Sequence, residues 1–305
     1  MSKGRFVKIV DEDGKIIDNF IIPMNKEVGL VDKKKNLTPS QINYLEEKKE
    51  MQAASELLGG YVHMCYIKNE LLFDNLNVQP ATITRVIYLA TYLEYNYKNN
   101  GLLVVKGLRD KHIPMTRKVM QSKLGLTDKT FSRFLKDAKD NMLLFETEEA
   151  MYLNPEYFSK GKCEFDSKEY TRLYIDPIRN LFDNSKVTQH KRLSYIFRLI
   201  PFIHYETNVI CYNPNETNGK LIKDMQLSDI CDLFNIDRSN GNKFKKDLLK
   251  FYVTLIGEKF YFFKYVNVEG LAKDRSYFVV NPYVIYKGGN SEVMKAIAKI
   301  FFVDE

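Results

Sequence analysis

The sequence lacks several features that would place it in a common class. It has no tryptophan and only four cysteines in 305 residues, and none of the cysteines forms a C-x-x-C pair. Neither a disulfide framework nor a cysteine-based zinc site is therefore expected. There is no run of about 18 apolar residues and no apolar stretch behind the charged N-terminus, which predicts neither a membrane span nor a signal peptide. The expected location is the cytoplasm.

Sequence motifs for nucleotide-dependent and metal-dependent catalysis are also absent. Neither of the glycine-rich phosphate-binding motifs, G-x-x-x-x-G-K-[ST] or G-x-G-x-x-G, occurs. The four histidines are isolated, and none belongs to an H-x-H or H-E-x-x-H cluster: His63, His112, His190 and His204. We therefore expect no catalytic residues, no metal site and no cofactor, and we predict a protein that is not an enzyme.

Length and charge leave room for a binding protein. The chain carries 46 Lys and Arg against 39 Asp and Glu, a net charge of +7. This mild excess permits a polyanionic partner but does not require one. The hydrophobic content of 45% is ordinary for a globular protein, and the length allows two or three domains.

The strongest signal in the sequence is an internal repeat. Residues 61–75 match residues 170–184 without a gap, and both segments end in Leu-Phe-Asp-Asn. Apolar residues at helical spacing follow in each copy, and both copies close with N-P-x-x-x-x-K-G, at 154–161 and 281–288. The repeat predicts an extension over residues 1–60, a first domain over 61–165, and a second over 166–305 that ends with a C-terminal helix.

The first copy has the element order of a winged helix-turn-helix. Its patterns predict a helix, a strand, two helices joined by a turn at Gly125-Leu126, and a hairpin, over residues 81–96, 102–105, 116–124, 129–141, 142–145 and 151–153. The predicted fold is α+β and helix-rich, with tandem duplicated winged helix-turn-helix domains behind an N-terminal hairpin and helix.

The second copy predicts the same order less clearly. Its elements are expected as a helix, a strand, two helices and a long wing, over residues 191–205, 209–212, 226–234, 239–251, 255–266 and 275–280. Asn240 and Gly241 are weak helix formers at the start of its third helix. The extension predicts a hairpin from 6–10 and 15–17, and a charged helix that starts near Thr38 and ends at Gly59-Gly60.

Basic residues are concentrated in the helix-turn-helix of the first copy, where residues 116–139 carry a net charge of +5. Lys129, Arg133 and Lys136 are spaced to share one helical face, as in a recognition helix that contacts phosphates and base edges. The candidate DNA-binding residues are Arg117, Lys118, Lys129, Thr130, Ser132, Arg133, Lys136 and Lys139. The wing tip carries Glu148 and Glu149, which phosphates would repel, so this wing is expected not to insert.

The second copy carries a weaker basic cluster, with a net charge of +4 over residues 238–250. Its candidate groove residues are Arg238, Ser239, Asn242, Lys243 and Lys246. Lys273 and Arg275 lie near the predicted wing tip, where they could reach a backbone or minor groove. The alternative interpretation of both clusters is an ordinary solvated, lysine-rich surface.

The repeated unit, over residues 61–290, resembles the winged-helix replication initiators of Gram-positive plasmids and phages. The resemblance rests on the helix after Leu-Phe-Asp-Asn, on the turn sequence 124–131, and on the hairpin that ends at 153–161. The tandem arrangement is similar to that of iteron-binding plasmid initiators, which implies binding to repeated origin DNA and recruitment of host replication proteins. Asn240-Gly241 departs from the pattern.

Other functions remain open at this point. The leading hypothesis is a sequence-specific double-stranded DNA-binding protein of a plasmid or phage that acts as a replication initiator. A transcriptional regulator or a partition factor could use the same fold. A winged-helix scaffold that binds protein is an alternative of another class, and the local basic clusters disfavour it. The oligomeric state is left as monomer or homodimer.

Overall fold

The two sequence repeats form two halves that share one sheet. A computed structural model describes residues 4–10, 16–23, 38–65, 77–95, 101–161, 170–255, 257–268 and 275–302. These residues contain nine α-helices and several small antiparallel sheets, which confirms the predicted α+β class. The chain divides into two compact units, residues 1–46 and 47–305.

The hairpin and helix expected in the N-terminal extension are present. Strands β1 (Gly4–Val10) and β2 (Ile16–Pro23) pair antiparallel. Helix α1 spans Pro39–Leu57. Gly59 and Gly60 follow it with φ of +76° and +81°, the left-handed conformation that glycine adopts readily at a helix end.

The described residues of the first half contain an opening strand, three helices, two hairpins and a closing strand. Its elements are β3 (Tyr61–Cys65), α2 (Pro80–Ala90), β4 (Val104–Lys106), β5 (His112–Pro114), α3 (Arg117–Leu124), α4 (Asp128–Asp140), β6 (Leu144–Glu146), β7 (Met151–Leu153) and β8 (Phe158–Ser159). Helix α2 starts at a proline, which suits a first helical position, and its residues from Thr82 to Ala90 are all buried. It is the central helix of this half.

The second half follows a similar order, except that it has no strands at the position of β4 and β5. Its elements are β9 (Tyr170–Tyr174), α5 (Ile175–Asp183), α6 (His190–Arg198), α7 (Leu227–Leu233), α8 (Gly241–Leu248), β10 (Tyr252–Leu255), β11 (Glu258–Tyr261), β12 (Phe263–Val268), β13 (Arg275–Val280) and β14 (Ile285–Tyr286), followed by α9 (Ser291–Lys299).

Several predictions for the second half are wrong in detail. The helix expected over 191–205 ends at Arg198, and the strand expected over 209–212 makes only isolated bridges. The expected wing strand over 255–266 is divided between two hairpins, because Gly257 (φ +81°) turns the chain back so that β10 pairs with β11. The wing is instead β12 with β13. The helix expected over 239–251 begins as a 3₁₀ turn at Arg238–Asn240, and its α-helical part ends at Leu248.

The central sheet has the strand order β14-β9-β3-β8. Strands β3 and β9 pair antiparallel with His63 opposite Arg172 at the middle, and the end pairs are Tyr61 with Tyr174 and Cys65 with Tyr170. The sequence repeat aligns Tyr61 with Tyr170, and Cys65 with Tyr174. Exchanging the halves therefore leaves the register unchanged, and a pseudo-twofold axis passes through the His63–Arg172 pair.

The outer strands of this sheet obey the same symmetry. Each comes from its own half's N-P-x-x-x-x-K-G motif: Met64 lies opposite Phe158, and Leu173 lies opposite Ile285. The motif asparagines make matching hydrogen bonds. Asn154 Nδ2 donates to the Met142 carbonyl at 3.0 Å, and Asn154 Oδ1 accepts from the Glu156 N–H at 3.0 Å. Asn281 makes the equivalent bonds, to the Tyr261 carbonyl at 3.1 Å and from the Tyr283 N–H at 3.0 Å. The motif is thus part of the structural frame.

The central helices of the two halves pack on each other and continue the shared core. Thr84 Oγ1 on α2 donates to the carbonyl of His190 at the start of α6, at 2.8 Å. The Tyr88 ring stacks on Phe182 of α5 with centroids 3.8 Å apart. One apolar cluster contains buried residues of both halves, so each half stabilises the other.

A backbone position beside β7 generates a first prediction. Gly101 has φ of +74°, and a Cβ there would lie 1.9 Å from the carbonyl oxygen of Leu153. Gly125, at the end of α3, has φ of +60° and nothing within 4 Å of such a Cβ. Gly125→Ala should cost about 1–2 kcal/mol from conformation alone. Gly101→Ala should cost about 1–3 kcal/mol more, because Leu153 must also move. Urea unfolding of both variants tests this, and equal losses would contradict the close approach.

The buried histidine on the pseudo-twofold axis generates a second prediction. Burial, with the charge of Arg172, lowers the pKa of His63 to about 4. This lies below the unfolded value of about 6.5, so protonation favours the unfolded chain. The stability contribution is complete above about pH 6.5 and is lost as the pH falls toward 4. We expect the titration of His63 to lower the free energy of unfolding by about 2 kcal/mol as the pH falls from 7.5 to 5.

The measurement is urea unfolding across this pH range. His63→Asn should make the slope of stability against pH shallower, whatever its absolute stability. His190 is also buried with its pKa lowered to about 4, by burial and by Arg85, so part of the slope should remain. The exposed His112 supplies the control, because His112→Asn should keep the full slope. An unchanged slope in His63→Asn would refute the prediction.

Candidate nucleic-acid interface

Helices α3 and α4 are held at a fixed angle by side chains at their junction. The hydroxyl of Thr116 accepts from the Val119 N–H and caps the start of α3. Gly125 ends α3 in the left-handed conformation. Gln121 Nε2 then donates to the Leu126 carbonyl at 3.1 Å and to Asp128 Oδ1 at 2.6 Å. The first residue of α4 is therefore tied directly to α3.

Helix α4 has an apolar face and an exposed face, which carries its cations together with Asp128 and Asp140. Its buried side chains are Phe131, Phe134, Leu135 and Ala138. Its exposed side chains include four of the predicted residues, Lys129, Ser132, Arg133 and Lys136. In the part of the chain that the structure describes, the three cations of this set form no ion pair. Their charges are available to a ligand, and we call these four residues the α4 face.

The other predicted residues of the first half lie in different surroundings. Arg117 and Lys139 both pair with Glu146 of β6, Arg117 at 3.9 Å, which partly neutralises them. Thr130 is half-buried, and its hydroxyl accepts a hydrogen bond from Thr127 at 3.1 Å. Lys118 is exposed on α3. The structure thus brings together the four residues of the α4 face, whereas Arg117 and Lys139 are engaged by Glu146.

The acidic residues within the predicted segment have structural partners. Asp137 Oδ2 accepts from the backbone N–H of Gln79 at 3.0 Å, just before α2 begins. Asp137 also faces Arg85, whose pKa is lowered by burial and raised by this carboxylate. Because Asp128 is likewise engaged by Gln121, neither carboxylate offsets the α4 face through a direct ion pair.

The corresponding helices of the second half, α7 and α8, approach each other closely. A Cβ on Gly241 would lie 3.4 Å from Cys231 Sγ and 3.7 Å from Leu227 Cδ2. Gly241 is buried at the first position of α8, where a larger side chain would press on α7. This packing accounts for the glycine that departs from the expected recognition-helix pattern.

The predicted residues of the second half are only partly available. Ser239, Asn242, Lys243 and Lys246 are exposed. Arg238 instead holds Asp232, with Nε 3.1 Å from Oδ1, and this hydrogen bond raises the pKa of Arg238. Lys273 lies outside the described residues, as does the side chain of Arg275, which begins β13.

The sequence interpretation missed a basic hairpin. It predicted one strand over 102–105, whereas β4 continues into a turn and returns as β5, with Lys106 opposite His112. Exposed Arg109 and Lys111 lie in the connection. The sequence does contain a signal for this hairpin. Val104-Val105 and Ile113-Pro114 flank a largely polar segment that includes Gly107, a pattern typical of hairpins.

Neither metal binding nor a membrane span emerges from the described residues. Within them, no three His, Cys, Asp or Glu side chains are grouped so that they could hold a metal ion. None of the helices described is both long and apolar enough to cross a bilayer. Comparison of the chain with known protein families, curated proteins and solved structures gives no match.

Proposed function

We propose that the two halves are winged-helix domains, over residues 61–165 and 166–305, and that the chain is a sequence-specific double-stranded DNA-binding protein. We further propose that it belongs to a plasmid or phage and initiates replication by binding repeated origin DNA and recruiting host replication proteins. The α4 face is the observation that carries the proposal.

The chemistry of the α4 face suits duplex DNA. A helix with exposed Lys129, Arg133 and Lys136 can contact phosphates on both sides of a major groove and place an arginine against a guanine edge. Ser132 adds a hydroxyl between the cations. The anchored junction with α3 fixes the direction in which the helix projects, which a loosely held basic segment would not do.

The strand arrangement around the helices also supports a winged helix. Leu102, which precedes α3, bridges Tyr152 of β7, and β7 pairs with β6. In the second half Val209, which precedes α7, bridges Val279 of β13, and β13 pairs with β12. In both halves a segment before the two helices thus lies beside the two-stranded hairpin that follows them.

The primary experiment tests DNA binding by the full-length protein. Duplexes should be selected from a random pool and from the DNA that flanks the gene, and affinity measured at several salt concentrations. With about four to eight phosphate contacts, binding should weaken steeply between low and physiological salt. A plasmid that carries the gene and its flanking DNA should replicate, and loss of binding should abolish replication. Binding without replication would favour the transcriptional or partition role.

Arg133 provides the third prediction. Arg133→Ala should weaken binding to the selected site by about 1–3 kcal/mol and relax specificity at one base pair, if the guanidinium reads a base. Arg133→Lys keeps the charge but loses the two-pronged hydrogen-bonding geometry, so it should recover non-specific affinity without specificity. Titration of matched and mismatched duplexes separates the two effects.

Two controls make this result interpretable. Lys299 is an exposed cation at the end of α9, and Lys299→Ala should change affinity far less than Arg133→Ala. Because Arg133 is exposed, its variants should fold, which circular dichroism can check. Equal effects of Arg133→Ala and Lys299→Ala would mean that only overall charge matters, and the proposed reading by α4 would be refuted.

The pseudo-twofold axis generates the fourth prediction. Symmetric helix-turn-helix proteins place equivalent helices on inverted half-sites about one helical turn apart. One chain should therefore cover two inverted half-sites with centres about 10 base pairs apart. Lys243→Ala/Lys246→Ala should weaken protection of one half-site, whereas Lys129→Ala/Lys136→Ala should weaken the whole footprint, because the α4 face carries more of the affinity.

These double variants remove the same charge and differ only in position. Footprinting of the full-length proteins on one duplex distinguishes them. Half-sites in direct orientation would contradict the symmetry prediction. A greater loss in the α8 variant would place the main reading site in the second half.

A further inference from the structure

Two hairpins of the first half lie at the same end of its small sheet. Leu102 bridges Tyr152 in antiparallel orientation, and the Leu103 N–H donates to the Met151 carbonyl at 3.0 Å. The chain after Leu103 therefore runs past the start of β7. As a result, the β4–β5 hairpin projects at the end of the sheet where residues 147–150 connect β6 to β7.

These two hairpins carry opposite charges. The short β6–β7 hairpin has two exposed glutamates at its tip, Glu148 and Glu149, while Glu146 beside them pairs with Arg117 and Lys139. The β4–β5 hairpin has a histidine and three cations against a single aspartate: Lys106, Arg109, Lys111 and His112. Phosphates would repel the first hairpin and attract the second. The basic hairpin is thus the one suited to approach DNA at the position of a wing.

The tip of the basic hairpin is a tight turn with one exposed leucine. The Gly107 N–H donates to the Lys111 carbonyl at 2.8 Å and closes the turn, and Arg109 adopts φ of +57° within it. A Cβ on Gly107 would lie 2.2 Å from Ile113 Cδ1, so the glycine lets the two strands stay close. Leu108 projects from this tip and is 90% exposed. Among such cations, an exposed leucine resembles the apolar wedges of minor-groove binders.

We propose that the β4–β5 hairpin is a second DNA contact of the first half. Arg109 and Lys111 bind phosphates, and Leu108 enters the minor groove beside the major groove that the α4 face occupies. The hairpin thus takes the DNA-contacting role of the wing. The wing itself has Glu148 and Glu149 at its tip, which phosphates repel, so the hairpin contacts the minor groove in its place. This inference rests on the proposed DNA-binding function.

The second half has no basic hairpin at this position. Its corresponding connection, residues 212–224, is closed by an antiparallel bridge between Cys211 and Asp224 but contains no strand. It has two lysines, Lys220 and Lys223, balanced by two carboxylates, Glu216 and Asp224. This segment supplies a matched control, because Lys220 and Lys223 are exposed like Arg109 and Lys111.

The experiment compares full-length variants on the selected duplex at several salt concentrations. Arg109→Ala/Lys111→Ala should raise the Kd about tenfold near 0.1 M salt and lower the slope of log Kd against log salt by about 2. Lys220→Ala/Lys223→Ala should change the Kd less than about twofold. Leu108→Ser should weaken binding severalfold with the slope unchanged. It should also remove hydroxyl-radical protection from the minor groove beside the half-site contacted by α4.

The outcomes separate this inference from the proposed function. If no selected duplex is bound by the wild type, the proposed function fails, and this inference with it. If the wild type binds and Arg133→Ala weakens binding, but the hairpin variants behave like the lysine control, only the hairpin inference fails. If Leu108→Ser changes the oligomeric state measured by sedimentation and leaves DNA affinity intact, the tip is a contact between protein copies, which also overturns the inference.

Discussion

The antiparallel pairing of β3 with β9 is the contact on which the rest of the structure depends. Each strand opens one copy of the repeat, and each is flanked by the strand that closes its own copy, in the order β14-β9-β3-β8. Separating the halves would leave two unpaired strand edges and would also expose the surfaces where α2 packs on α6. For this reason variants of the full-length chain, and not isolated halves, are the appropriate reagents.

The sequence was informative where its patterns are local or repeated. The two copies of the closing motif predicted equivalent segments, and the register of the central sheet matches the alignment of Tyr61 with Tyr170. The spacing of Phe131, Phe134 and Ala138 predicted the buried face of α4, because apolar residues three and four apart share one side of a helix. The exposed positions of Lys129, Arg133 and Lys136 follow from the same periodicity.

The sequence could not reveal which distant groups would meet. Nothing local indicates that β3 pairs with β9, because antiparallel partners 109 residues apart are chosen by the packing of the whole fold. The ion pair of Arg238 with Asp232 and the sharing of Glu146 by Arg117 and Lys139 are tertiary contacts of the same kind. They reduce the predicted set of DNA-binding residues, since a cation held by a carboxylate must give up that partner before it binds a phosphate.

The symmetry of the core contrasts with the asymmetry of the exposed helices. Helix α4 has 13 residues and three exposed cations that form no ion pair with any described residue. Helix α8 has eight residues, begins after a 3₁₀ turn, and places Lys245 over the ring of Tyr265 at 4.3 Å. Because both helices belong to one compact unit, binding by one raises the effective concentration of the other at a neighbouring site. Under the proposed function, a strong α4 contact would let a weaker α8 contact add to the affinity without having to bind DNA alone.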